Sequence, residues 1–197
     1  MNLKKIVATF AVASMLVGCG GSGSGSSDLK EGDTIKIGYI GPLTGETSSY
    51  GIPVANSIEL AIDDYNNSKD AKFKVEFVKE DSQGKETDAV NAYNKLVGEG
   101  VVGIVGPVLT GESLAVGNAS EKELTPIVSS SASGDSVTLN SNGETRTNFF
   151  RTCSNDSKGG QFIASKVGDG TIQASKVAVL TNSDSDYSIG CTESFIK

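Results

Sequence analysis

The run Val101-Val102-Gly103-Ile104-Val105-Gly106 carries no polar side chain, and Gly100 and Pro107 bound it. A strand with one wet face alternates apolar and polar residues. A strand without that alternation needs cover on both faces, the situation of a central strand in a parallel sheet flanked by helices. The chain from Thr34 onward fits such a sheet. IKIGYIG (35–41) is a strand ending at Gly41 and Pro42. In 51–67, Val54, Ile58, Ala61, Ile62 and Tyr65 recur at helical spacing on one face. KFKVEFVKED (72–81) alternates Phe73, Val75 and Phe77 with charges, as a strand nearer the sheet edge does. Residues 85–98 return to the helical period through Ala89, Tyr93, Leu96 and Val97. A helix over 112–123, a strand at 126–129, a strand at 149–152, a helix at 158–167, a strand at 176–181 and a helix after Tyr187 complete the pattern. Strands alternating with helices of this length predict βαβ crossovers and an α/β doubly wound parallel sheet.

In such a sheet, ligands bind beyond the carboxyl ends of the strands, where the strand order reverses. Three loops at that edge hold the polar residues: GPLTGETSSYG (41–51), GPVLTGES (106–113) and SSSASG (129–134). Each leads toward a helix whose first amides lack partners and carry partial positive charge, a seat for a small anion such as a carboxylate. Ser and Thr also cap helices and fill turns, so one such loop alone would point to no ligand. Three on alternate connections predict a binding site at this edge. Neither glycine cluster fits a dinucleotide or Walker pattern.

The N-terminus addresses the compartment. Lys4 and Lys5 precede residues 6–18, which carry no charge and are shorter than the roughly 20 residues a membrane-spanning helix needs. The run ends in Leu16-Val17-Gly18-Cys19 and is followed by GGSGSGSSD. It resembles the lipobox of bacterial lipoproteins. That resemblance implies a signal peptide over 1–18, a lipid on Cys19 and export to the outer face of the cytoplasmic membrane or the periplasm. A flexible run such as 20–28 has an r.m.s. reach of about 16–18 Å, so residues 19–33 read as a tether.

Composition narrows the chemistry. The chain carries net charge −7 with no basic cluster, which argues against nucleic acid. It has no histidine, which disfavours zinc hydrolases and Ser-His-Asp or Cys-His catalysis. Cys153 and Cys191 remain either as two thiols or as a pair, and their spacing does not choose.

The segments IKIGYIGPLTGETSSYG, ANSIELAIDDYN, VVGIVGPVLTGESLA, PIVSSSASG, FFRTCSNDSKGGQFIA and KVAVLTNSDSDYSIG, in this order, resemble the type I periplasmic-binding-protein family. Within it they are most similar to the leucine/isoleucine/valine-binding components of ABC transporters. The resemblance implies two α/β lobes closing on a small ligand, no enzymatic activity and no cofactor or metal. Its partners would be an amino acid, a membrane permease and, through the lipid, the membrane itself, with the protein a monomer. Residues 34–155 would form the first lobe and 156–197 an incomplete second lobe, since family chains are about twice as long. By position, Thr110 matches the hydroxyl that grips the ligand carboxylate. Ser131 matches the carbonyl that meets the ammonium, and Ser133 the hydroxyl and amide that meet the carboxylate, with Ala132 between them. Tyr50 matches an aromatic wall, and Tyr187 the tyrosine brought across the cleft by the second lobe. The disulfide common near the second loop is not expected, because Leu109 stands at one of its positions and 81–85 holds no cysteine. Nor does the chain reach the acid expected to hold the ammonium. Two other readings share this fold: a sensory ligand-binding module, or a binder of another small carboxylate, an amide or a urea-like solute.

Overall fold

The structure is a computed structural model that describes residues 29–197; the expected signal peptide, Cys19 and residues 20–28 of the expected tether lie outside the described residues. Five strands are formed: β1 (Thr34–Gly41), β2 (Lys74–Asp81), β3 (Gly103–Val105), β4 (Ile127–Ser129) and β5 (Phe149–Arg151). Five α-helices join or follow them: α1 (Ser48–Asn66), α2 (Glu86–Gly98), α3 (Thr110–Ala119), α4 (Asp156–Gly168) and α5 (Asp186–Ile196). The strand order is β2-β1-β3-β4-β5, and every pairing is parallel. The fully apolar segment is the middle strand, as its composition requires, and the alternating segment is an edge strand. The chain steps from β1 outward to β2 and then back past β1 to β3, so the direction of winding reverses between β1 and β3.

That reversal puts α1 on one face and α2 with α3 on the other. The second face carries the main core, where Ile40, Ile104, Ile127 and Phe149 meet Ala89, Tyr93, Leu96 and Val116, all at most 2% exposed. On the first face Tyr39 and Val108 pack with Ala55, Val54, Ile58 and Phe77. An apolar groove of about 630 Å³ runs under α1, lined in part by Ile35, Ile37, Ile58, Ala61, Ile62 and Val105. Beyond it on the same face, Phe150 of β5 is half exposed.

Three boundaries move. The first helix starts at Ser48, ahead of the expected Gly51, and carries Pro53 inside it. The third starts at Thr110 and stops at Ala119, shorter at its far end than the periodicity indicated. The segment 176–181 forms no strand. Its short apolar run is that of a strand, but a strand also needs a neighbour to pair with, and none lies beside it among the described residues. Leu180 is 97% exposed there. Cys153 and Cys191 are free thiols.

The weight of the core on the α2–α3 face gives a direct check. Leu96→Ala, at a fully buried position, should cost about 2–5 kcal/mol in chemical denaturation, whereas Leu60→Ala on an exposed helix face should cost under about 0.5 kcal/mol. Equal costs would mean the core lies elsewhere.

Candidate functional site

The loops after β1, β3 and β4 leave the sheet at the same edge, on either side of the point where the winding reverses. Close packing of backbone brings them together. Gly106 adopts φ +111° against the carbonyl of Ile40, where any Cβ would overlap that oxygen. At Gly134 a Cβ would strike the Thr110 methyl, so glycine lets the third loop lie directly on the second.

Side chains then stitch loop to loop. The buried Ser129 hydroxyl donates to the Pro107 carbonyl at 2.6 Å and accepts from the Ala132 N–H at 3.0 Å. Ser131 donates its hydroxyl to the Val108 carbonyl at 2.7 Å. Thr110 Oγ1 accepts from the Gly134 N–H at 3.3 Å. Arg151, at the end of β5, holds the third loop by donating to the carbonyls of Ser133 and Gly134 at 3.1 and 2.8 Å. The first loop is held by Asp81. Its carboxylate accepts from the Leu43 N–H at 2.8 Å, the Thr44 hydroxyl at 2.5 Å and the Gln83 N–H at 2.8 Å.

What these bonds leave over defines the site. Among the described residues the Ser133 hydroxyl and N–H make no hydrogen bond. The first amides of α3 have no intrahelical acceptor and carry the positive end of the helix dipole. Thr110, buried itself, accepts one bond and keeps its hydroxyl proton to donate. One acid is buried where α4 starts, bonded through its backbone to the third loop. Asp156 is 3% exposed, and its N–H donates to the Ser133 carbonyl at 2.8 Å. Its Oδ1 accepts a long contact from the Cys191 thiol at 3.5 Å, while Oδ2 is buried without a partner. Helix α5 crosses α4 here on two glycines. A side chain at Gly190 would meet Asp156 Oδ2 at 2.9 Å, and one at Gly160 would meet Ser194 at 2.7 Å. Tyr187, on α5, sets its hydroxyl against Cys191, which pushes the phenol above its ordinary pKa, with smaller contributions from the thiolate charge, burial, Asp156 and Tyr50. Tyr187 and Tyr50 are both exposed.

The site residues expected from the sequence therefore divide. Thr110, Ser131 and Ser133 meet at one edge, and Tyr50 and Tyr187 flank it. Ala132 is fully buried in the main core, so its methyl faces away from the edge, and its N–H is spent on Ser129. Sequence reasoning passed over Asp156 because an acid at a helix start reads as ordinary capping. The signal was the Gly159-Gly160 pair three residues later: glycine inside a helix is unfavourable by about 1 kcal/mol each and marks a close approach.

A family model described as periplasmic binding protein matches residues 34–194. The chain belongs to the periplasmic binding protein family. The Leu/Ile/Val-binding protein BraC3 of Rhizobium johnstonii is 30% identical over 162 residues, which are 82% of this chain and 42% of that protein. The leucine binding protein LivK of Thermotoga maritima shares the fold with a TM-score of 0.73 at 29% identity, covering 82% of this chain and 44% of its own. The branched-chain amino acid transporter substrate binding protein LivJ of Streptococcus pneumoniae, solved in complex with isoleucine, gives a TM-score of 0.74 at 30% identity, covering 83% and 46%. The chain spans less than half the length of each of these relatives. The fold is that of the type I periplasmic binding proteins, and these relatives are solute-binding proteins.

The rack beneath the first loop of this periplasmic binding protein should be visible in acid. Burial alone would raise the Asp81 pKa, but the bonds from Thr44, Gln83 and Leu43 outweigh it and hold the carboxyl below the ordinary value. A depressed folded value means stabilisation that is present above the ordinary range near pH ~4 and is lost as pH falls through the folded value. Asp81→Asn should therefore remove part of the acid limb of the stability curve. An unchanged limb in that variant would show that Asp81 does not hold the loop.

Proposed function

We propose that this chain is the ligand-capturing part of an ABC importer and that its ligand is an amino acid, with a branched side chain (Leu, Ile or Val) as the best fit. The observation that carries the reading is the pairing of an unspent donor set with a buried, half-partnered acid. A free α-amino acid brings a carboxylate and an ammonium a few ångströms apart. In a closing, partly dry cleft each needs opposite partners, because an unpaired buried charge is costly. Ser133, Thr110 and the start of α3 suit the carboxylate. Asp156 Oδ2 and the Ser131 carbonyl suit the ammonium. Tyr50 and Tyr187 suit the walls. The names of the relatives favour the same ligand class.

In this reading residues 34–155 are the first lobe and 156–197 open the second. Cys19 carries a lipid that anchors the receptor outside the cytoplasmic membrane. The protein works as a monomer, handing its amino acid to a membrane permease without a cofactor and without chemistry of its own.

Calorimetry with the natural amino acids tests the reading on the full chain. Leucine, isoleucine or valine should give saturable heat, and Ser133→Ala should weaken it by about 1–3 kcal/mol, the cost of one missing donor to a charged oxygen. Asp156→Asn should weaken leucine by a similar amount while leaving 4-methylpentanoate, leucine without its amino group, nearly unaffected. If the two ligands lose affinity equally, the ammonium is not held by Asp156. Binding of 4-methylpentanoate with no response to any amino acid would replace the amino-acid reading with a simple carboxylate receptor.

A further inference from the structure

Glu112, in the first turn of α3, is 2% exposed, and its carboxylate makes no bond to Thr110, Ser131 or Ser133. Its Oε1 accepts the Ser82 hydroxyl at 2.5 Å, and its Oε2 accepts the Leu109 N–H at 3.2 Å. Both partners belong to other parts of the site. Ser82, the residue after β2, donates its own N–H to the carbonyl of Gly41 at the end of β1 at 3.0 Å. Its neighbour Asp81 holds the first loop. Leu109 is the last residue before α3, and the next residue, Thr110, receives the Gly134 N–H of the third loop. One carboxyl group thus stands at the centre of a hydrogen-bond chain running from the first loop through the ends of β1 and β2 to the second and third loops.

A buried carboxylate in such a place costs stability unless its bonds repay the lost hydration. A neutral side chain of similar volume would fill the core more cheaply. What a glutamate supplies instead is two acceptors at a fixed span, able to grip a hydroxyl and an amide on separate segments. We propose that Glu112 is a positioning residue: it ties the end of β2 to the start of α3 and thereby holds Thr110 and the loop before it in the arrangement that meets the ligand. The bearing on ligand capture rests on the amino-acid reading above; the tie itself does not.

The tie has a pH signature. Burial raises the Glu112 pKa; the bonds from Ser82, Leu109 and Val108 partly offset this, and the charge of Asp81 adds to the rise. The groups around it are Asp81 at the end of β2, Tyr39 of β1 (whose phenol is raised by burial and by both acids), and Glu86 and Asp186, which lie beside Gly111 at the starts of α2 and α5. None is a cation. A raised folded value means the fold's preference is for the neutral acid: that contribution is fully present below the ordinary glutamate value and is lost as pH rises through the folded one. The neutral acid can keep both contacts only by donating to Ser82, and it loses the charge assistance that strengthens them. Glutamine is the permanent mimic of that neutral form.

Amide hydrogen exchange by NMR on the full chain tests the proposal, with protection corrected for intrinsic rate at each pH. In Glu112→Ala the Leu109 amide should exchange about tenfold faster, the loss of roughly one bond to a charged acceptor, and Gly134 should follow because Thr110 shifts. Ile104 and Ile127 in the core should change less than either. Wild type should approach the Glu112→Gln profile as pH falls through the Glu112 titration, while the glutamine variant shows no such step. Ser82→Ala, which removes only one donor, gives the same test if the alanine variant does not fold. Unchanged protection at Leu109 and Gly134, or a uniform loss across the core, would overturn the tie. Adding isoleucine separates the two claims. If wild type shows no response to isoleucine but Gly134 still depends on Glu112, the amino-acid reading fails and the tie stands.

Discussion

The arrangement of this chain depends on one topological constraint: β1 has neighbours on both sides that follow it in sequence, so the crossovers must leave it in opposite directions. Where they part, the loops after β1 and β3 cannot be bridged by a helix of either layer. Backbone N–H groups and carbonyls are therefore left facing one another across a crevice and must be satisfied some other way. The chain answers with short side chains rather than more backbone pairing. Ser129 and Ser131 spend their hydroxyls on the carbonyls of Pro107 and Val108. Asp81 collects the amides of the first loop, and Glu112 joins β2 to α3. Glycine at 106 and 134 allows the approach that makes these bonds short.

This division of labour explains the density of serine after β4. A turn needs one or two such residues, and this segment has several because most are structural. Two are consumed in fixing the loop, and Ser130 turns its hydroxyl toward the α1 face, where it is buried without a partner. The Ser133 hydroxyl makes no hydrogen bond among the described residues. Rigid donors beside a helix N-terminus cost little reorganisation when an anion arrives, which is the physical value of spending neighbouring hydroxyls on the frame. Asp156, at the start of α4, is tied to the same loop by its own backbone bond to the Ser133 carbonyl.

Much of this was legible beforehand, for identifiable reasons. The unbroken apolar run at 101–106 could only be a central strand, and the alternation at 72–81 fitted the edge. The loop positions followed from the winding; Thr110, Ser131 and Ser133 came from the family resemblance, and the structure sets all three at that edge. The strand expected at 176–181 failed because periodicity records which faces a segment could bury, not whether a neighbour exists to pair with it. The resemblance set Ala132 among the ligand residues; its methyl is buried in the core beside the anchored Ser131. Asp156 escaped notice because a carboxylate at a helix start has an ordinary explanation, and only the crossing of α5 over Gly160 and Gly190 buries it and leaves an oxygen unpaired. Glu112 looked like a first-turn helix acid, and its partner Ser82 lies far away in sequence.

The central claim is that a small zwitterion sits where the three loops meet. Titration of the isotope-labelled full chain with isoleucine, followed by amide NMR, tests it most directly. The account predicts saturable shifts concentrated at Thr110, Gly111, Ser133, Gly134 and Asp156. Shifts confined to the groove under α1, or none at any concentration, would contradict it.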